Sequence, residues 1–178
     1  MLASIWLQVV GGQQAVLQSL IGSLAARHGT MPFQPHLTVC GGPDLDPARW
    51  DAAADYLRHS ALLPLRVKRT GISYSTAVWS RAVVIDVEDA PDIRSFREEL
   101  GRIAGAAILA PPHISLFYMV DGRGQRPSWA ASEPRLRAIA EECEAAIDAT
   151  EFVLDDTVVV APDRDWTNIA TWTVMRRF

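Results

Sequence analysis

The chain has 178 residues, enough for one domain with a sizeable core, and its 49% apolar and 21% charged residues are those of an ordinary globular protein. Its formal net charge of −4 argues against a protein that wraps long RNA or DNA, which needs a basic surface to offset phosphates, and favours a small or short anionic substrate. The two cysteines, Cys40 and Cys143, fall in no CxxC or Cys/His spacing, so a zinc site is unsupported and both read as reduced, buried thiols. No apolar run reaches the ~18 residues of a membrane span. The opening MLASIWLQVV lacks the basic start and small-residue cleavage site of a signal peptide, so the expected location is the cytoplasm.

In chain order, the alternation of residues 3–10 predicts a strand. A helix is expected over about 13–28, with Val16, Leu17, Leu20, Ile21 and Leu24 on one face and Gly29 placed to close it in a left-handed conformation. Residues 33–40 read as a second strand. Asp46-Pro47 predicts a helix start, because Asp caps free N–H groups and Pro fits a first turn; that helix should run to about His59. Strand-like runs at about 63–73 and 77–87, with turn residues near Ser75, predict a hairpin. Pro91 opens a helix with Ile93, Phe96, Leu100 and Ile103 at helical spacing, and a short strand, 112–118, follows Pro111-Pro112. Residues 121–133, rich in Gly, Arg and Pro, read as a surface loop. Pro134 opens a last helix with Leu136, Ile139, Cys143 and Ile147 inward, and two strands, 151–160 and 168–176, end the chain around a polar turn at Asp163. This order of elements, with hairpins as well as crossovers, implies an α+β domain with mainly antiparallel sheets rather than a doubly wound parallel one. It also contains a coarse repeat: each half has a helix, a short strand with His-x-Thr or His-x-Ser, a helix and a hairpin.

The two strands at the centre of that repeat carry His36-Leu37-Thr38-Val39 and His113-Ile114-Ser115-Leu116, both preceded by proline. Residues two apart in a strand face the same way, so His36 projects with Thr38 and His113 with Ser115, while the aliphatic residues face a core. Hydrolysis of a phosphodiester needs one group to activate water and another to protonate the departing oxygen. Two imidazoles facing each other across a groove supply both near neutral pH without a metal. The Thr and Ser hydroxyls can donate to phosphate oxygens, a neutral way for an acidic protein to hold an anion. A single histidine in an amphipathic strand is ordinarily structural; it is the duplicated context that points to a catalytic pair. His28 and His59 lack the motif, sit near predicted helix C-termini and read as structural.

These motifs resemble those of the 2H phosphoesterases, and within them the cyclic phosphodiesterase branch. Phe33-Gln34-Pro35-His36-Leu37-Thr38-Val39 is similar to that branch's first motif and Pro112-His113-Ile114-Ser115-Leu116-Phe117-Tyr118 to its second. Ser4-Ile5-Trp6-Leu7, the region Gly71 to Trp79 and Trp172 fall in matching places, so the resemblance spans essentially the whole chain as one bilobal domain, 1–178. It implies two mainly antiparallel sheets around a central groove, helices outside, and a pseudo-twofold axis. It implies hydrolysis of cyclic phosphates on ribose, either nucleoside 2′,3′-cyclic phosphates to 2′-phosphates or ADP-ribose 1″,2″-cyclic phosphate to the 1″-phosphate, with no cofactor. By motif position, His36 and His113 are the acid/base pair, in undetermined order, and Thr38 and Ser115 hold phosphate. Tyr118 matches the aromatic residue closing the second motif, although its alternation parity is opposite to that of His113. Either the strand end twists or bulges, or Tyr118 belongs to the core.

A nucleotide base needs a flat partner. Trp6, Tyr74, Trp79, Trp166 and Trp172 are candidates, with Trp172 first, because the terminal strand borders the groove in the resembling fold, and Trp6 next. Arg123 and Arg126, in the loop after the second motif, could bring positive charge to phosphate or stay solvated. Arg66-Val67-Lys68-Arg69 reads as an exposed sheet edge. The expected ligand is a small cyclic nucleotide or ADP-ribose derivative, with short RNA ends as a further case, acted on by a monomer. Two other readings stay open: an RNA end-processing enzyme of the 2′-5′ RNA ligase type, and a non-catalytic nucleotide- or RNA-binding module that kept the groove.

Overall fold

The computed structural model describes residues 2–42, 46–109, 111–130 and 132–178. The order is β1 (Ala3–Val9), α1 (Gly12–His28), β2 (His36–Gly42), α2 (Trp50–His59), β3 (Leu65–Tyr74), β4 (Val83–Val87), α3 (Pro91–Ala104), β5 (Ala107–Ile108), β6 (His113–Phe117), α4 (Glu133–Ala146), β7 (Glu151–Ala161) and β8 (Thr173–Arg177). Apart from the two-residue β5, this is the order the sequence implies. Gly29 caps α1 in the left-handed region at φ 67°, as its position predicts. Asp46 accepts a hydrogen bond from the Ala48 N–H (2.9 Å) and opens a short 3-10 turn, Pro47–Arg49, before α2 begins. The expected last strand starts late, because Ile169–Thr171 forms another 3-10 turn. The loop expected at 121–133 is irregular up to Ala130, with Asp121 accepting the N–H groups of Arg123 and Gln125; Ala131 lies outside the described residues.

All strand pairs are antiparallel. β1, β2, β8 and the second half of β7 form one group; β3, β4, β6 and the first half of β7 form the other. β7 passes from one group to the other, and β2 meets β6 at a single pair, Leu37 with Ile114. The expected exposed edge at 66–69 is instead bonded, to β7 over Leu65–Lys68 and to β4 from Arg69 on. Its charges are matched: Arg66 pairs with Glu151, Lys68 with Glu88 and Arg69 with Glu144.

The two histidine strands exchange helices. α1, which precedes β2, packs on β6, and α3, which precedes β6, packs on β2. Each half therefore covers the other's apolar face, through Leu17 and Leu24 of α1 and Phe96 and Leu100 of α3, all at most 1% exposed. Burial of this kind stabilises by about 25 cal/mol per Å² of apolar surface and binds the halves into one core. No helix among the described residues is long and apolar enough to cross a membrane. Cys40 and Cys143 are free and buried, and burial pushes both thiols up to about 12.

Candidate active site

The register of four neighbouring strands decides which side chains meet. Leu7 pairs with Leu37, Leu37 with Ile114 and Ile114 with Ile85, a transverse row of fully buried aliphatic residues. Because alternate residues face opposite ways, both flanking rows emerge on the other face. One row runs Gln8, His36, Ser115, Val84; the other runs Trp6, Thr38, His113, Asp86. His36 is thus across the seam from Ser115, and Thr38 across from His113, where opposed Cβ atoms are ~5 Å apart. The four motif side chains occupy the corners of one small square with the histidines on a diagonal.

Both imidazoles are held the same way. His36 Nδ1 lies 2.6 Å from the Gln34 carbonyl oxygen and His113 Nδ1 3.0 Å from that of Pro111, in each case the residue two places earlier. A carbonyl only accepts, so each Nδ1 carries the proton and donates it, which leaves each Nε2 as a lone-pair acceptor. The residue between carbonyl and histidine is proline in both cases, Pro35 or Pro112, whose ring fixes φ at about −65° and so limits the conformations of the short segment that joins carbonyl and imidazole. His36 is 4% exposed and stacked flat on Trp6, ring centroids 3.6 Å apart and planes 10° from parallel. Burial lowers His36 to about 4, the Gln34 hydrogen bond offsets part of this, and His113 adds to the lowering. His113 is half-buried; it too is lowered, first by burial, with Arg81 and Arg97 contributing and Asp86 opposing. Both rings are neutral at pH 7.

The depression of His36 has a consequence for stability. An unfolded histidine titrates near 6.5. As pH falls below that value the unfolded chain takes up a proton that the folded chain refuses down to about 4. Stability contributed above pH 6.5 is therefore lost between about 6.5 and 4, by up to roughly 3 kcal/mol. Urea unfolding at pH 7.5, 5.5 and 4.5 should show this decline, and His36→Gln should flatten it; an equally steep decline in the variant would exclude His36 as its source.

The hydroxyls flank the rings. Ser115 Oγ donates to the Ser80 carbonyl (2.9 Å), and burial pushes the nearby Tyr118 phenol well above its usual value, with Ser115 opposing part of this. Thr38 lines a cavity of about 320 Å³ together with His36, Trp6, Tyr118, Trp79 and Trp172. The β4–β6 register shifts between Val83 and Val84, which face Phe117 and Ser115 and leave Leu116 as an extra residue; this bulge reverses the alternation, so Tyr118, although buried, lines the groove and stacks on Phe33 at 3.7 Å. Trp172 contacts Trp6 and Tyr118 edge-on, and Trp166 borders the same cavity. Tyr74 is elsewhere: at the far end of β3 its hydroxyl contacts Glu133 and Arg137 of α4, because the bulge at Arg69/Gly71 and the pairing with β4 carry that end away from the groove. Arg126 donates to the Ala77 carbonyl, and neither it nor Arg123 is among the residues lining the cavity.

Some lining residues carry weak or no sequence signal. Ser4 shares its parity on β1 with Trp6 and lines the cavity with it. Ser80, in a 3-10 turn at Trp79–Arg81, and Leu109, just after β5, carry no local signature. Gly41 lies at the rim, where a Cβ would sit 2.5 Å from that of Ser4; β1 and β2 approach too closely there for a side chain. The described residues lining the cavity include no charged side chain. Among the described residues no three His, Cys, Asp or Glu side chains cluster as a metal site would require.

Comparison with solved structures identifies the architecture. No known family's sequence profile matches the chain, and no curated protein matches it in sequence. Escherichia coli LigT complexed with NADP+ superimposes with a TM-score of 0.59 at 12% identity over 99% of this chain and 95% of that one. LigT complexed with ATP gives 0.56 at 12% identity over 99% and 96%. A protein described as a phosphoesterase gives 0.57 at 12% identity over 99% and 96%. From end to end, the chain has the α+β fold of LigT.

Proposed function

We propose that this protein is a 2H phosphoesterase that hydrolyses cyclic phosphodiesters on ribose, opening a nucleoside 2′,3′-cyclic phosphate to the 2′-phosphate or ADP-ribose 1″,2″-cyclic phosphate to the 1″-phosphate. The observation that carries the reading is the register set by the Leu37–Ile114 pair: it puts both histidines, each with Nδ1 on a carbonyl, and both hydroxyls on one face, with His36 and Thr38 lining a cavity walled by aromatic rings. The LigT-like fold supports it.

In this reaction the phosphorus sits between the two imidazoles. One Nε2 takes a proton from water as its oxygen attacks phosphorus. The bond from phosphorus to the ribose 3′-oxygen breaks, and the second imidazolium gives that oxygen a proton; the 2′-oxygen keeps the phosphate. Thr38 and Ser115 donate to the non-bridging oxygens as negative charge builds there, Ser115 by turning from the Ser80 carbonyl. The acid must be charged before the step, and the bound phosphate anion favours that charge on the nearest ring. We assign this role to His113, the less buried of the two, and the base role to His36. With a phosphodiester bearing a nitrophenolate leaving group, which departs without a proton, His113→Ala should retain far more of its activity than His36→Ala. The opposite order would reverse the assignment.

The decisive assay is turnover of nucleoside 2′,3′-cyclic phosphates in EDTA, with the product phosphate position identified. Absence of hydrolysis with all four bases and with ADP-ribose 1″,2″-cyclic phosphate would overturn the proposal. The uncharged lining makes a second expectation. A site that holds phosphate by hydroxyls rather than by Lys and Arg releases few counterions, so KM should change less than about threefold between 50 and 200 mM salt. A steep salt dependence would point to basic residues and an RNA substrate.

A further inference from the structure

A second cavity, of about 280 Å³, adjoins the first. Trp6 and Trp172 wall both, so the two are neighbours separated by a pair of indoles. It lies on the Nδ1 side of His36: the Gln34 carbonyl that fixes His36 belongs to one of its lining residues, and Gln8, another, is opposite His36 in the β1–β2 register. None of the residues proposed for proton transfer or phosphate holding lines it.

Its chemistry is distinctive. Three glutamines, Gln8, Gln18 and Gln34, face it beside the rings of Phe33, Trp6 and Trp172, and its described lining includes no charged side chain. Gln18 Nε2 donates to the Phe33 carbonyl (3.1 Å), which settles the orientation of the amide: its Oε1 is an acceptor. That oxygen is buried and has no partner among the described residues, so turning it toward an incoming N–H costs no existing bond of the oxygen. Phosphate is poorly served by such a lining. A flat, neutral heterocycle is well served: aromatic faces stack on it, and amides pair with its ring nitrogens and exocyclic amine, as glutamine does with adenine.

We propose that this cavity binds a second heteroaromatic ring of the substrate, one nucleoside beyond the reacting ribose. The inference rests on the proposed phosphodiesterase reading and narrows its substrate to molecules with two rings. Such a ring can belong to a short oligonucleotide end or to the adenosine half of an ADP-ribose derivative. The amides prefer a base with an exocyclic amine in either case.

The test compares kcat/KM for adenosine 2′,3′-cyclic phosphate, an adenylate dinucleotide ending in a 2′,3′-cyclic phosphate, and ADP-ribose 1″,2″-cyclic phosphate. At least one two-ring substrate should exceed the mononucleotide by tenfold or more, and whichever does identifies the source of the ring. Val174, half-exposed at the outer edge of the cavity on β8, supplies the control. Val174→Trp should plug the cavity, bring the two-ring substrate down to the mononucleotide level and leave mononucleotide turnover within twofold. Gln18→Leu should weaken the preference for adenine over uracil in the outer position. Equal kcat/KM for all three substrates in the unmodified protein, or an equal loss for all of them in Val174→Trp, would overturn the proposal. Should no substrate turn over, the cavity is still read by equilibrium binding of a 3′-phosphorylated adenylate dinucleotide against 3′-AMP. Tighter dinucleotide binding that Val174→Trp abolishes would support the second ring site; equal binding would remove it.

Discussion

Replacing His113 with alanine is expected to lower kcat/KM for a nucleoside 2′,3′-cyclic phosphate by about 10²–10⁴-fold, the range over which a positioned proton donor or acceptor acts. His36→Ala should cost as much. Because both proton transfers belong to one displacement, the double variant should be about as slow as either single one rather than slower by the product. Folding must be separated from chemistry. His113 is half-buried, and its truncation should leave the urea midpoint nearly unchanged. His36 is buried against Trp6, so His36→Ala removes packing as well, and His36→Gln, which keeps bulk and polarity, is the cleaner chemical test. Undiminished turnover in a folded variant of either position would remove that residue from the mechanism. Fully multiplicative losses would indicate two independent roles in place of a coupled pair.

The second large effect concerns stability. Leu37→Ala should destabilise the protein by about 2–5 kcal/mol, the range for deleting a buried leucine side chain. Leu37 is fully buried at the centre of the row Leu7–Leu37–Ile114–Ile85, and its pairing with Ile114 is the one point at which β2 meets β6. The cavity left behind would lie directly beneath the square of histidines and hydroxyls. Activity should therefore fall in the folded variant too, while Leu136→Ala, equally buried on α4, should cost similar stability with little effect on turnover. Urea denaturation with the m-value held constant measures the first effect. A loss below 1 kcal/mol for Leu37→Ala would mean that the strands close over the missing side chain and that this row does not hold the seam.

The second cavity extends this picture of a site that works with little charge. In the proposed reading, hydroxyls would take the place of Lys and Arg around the phosphate, and the amides and indoles lining the second cavity would define the space for rings. The positive charges that influence His113, on Arg81 and Arg97, act from outside the lining of the first cavity. A protein with a net charge of −4 can in this way hold a small anion without attracting long polyanions.

Much of the site was legible in local sequence. A period of two in each tetrapeptide puts His36 with Thr38 and His113 with Ser115, and buries Leu37, Val39, Ile114 and Leu116, because side chains of a strand alternate whatever the fold. Helix boundaries at Gly29 and Pro91 followed from equally local causes, the left-handed cap and the fixed φ of proline. Tyr118 and Tyr74 show the limit. Both are aromatic residues near strand ends, yet one turns into the groove and the other leaves it, since where a strand stops and where a bulge falls depend on its partners. The Arg66–Arg69 run reads as an exposed edge, but β7, more than 80 residues further along the chain, bonds to it. By itself the sequence determined two His-plus-hydroxyl units, each facing one way. Only the tertiary structure decided that they cross, His36 against Ser115 and Thr38 against His113, and that both Nδ1 atoms are tied to backbone carbonyls. Register between strands 77 residues apart is set by the summed packing of a whole sheet and the helices beneath it, not by either strand alone.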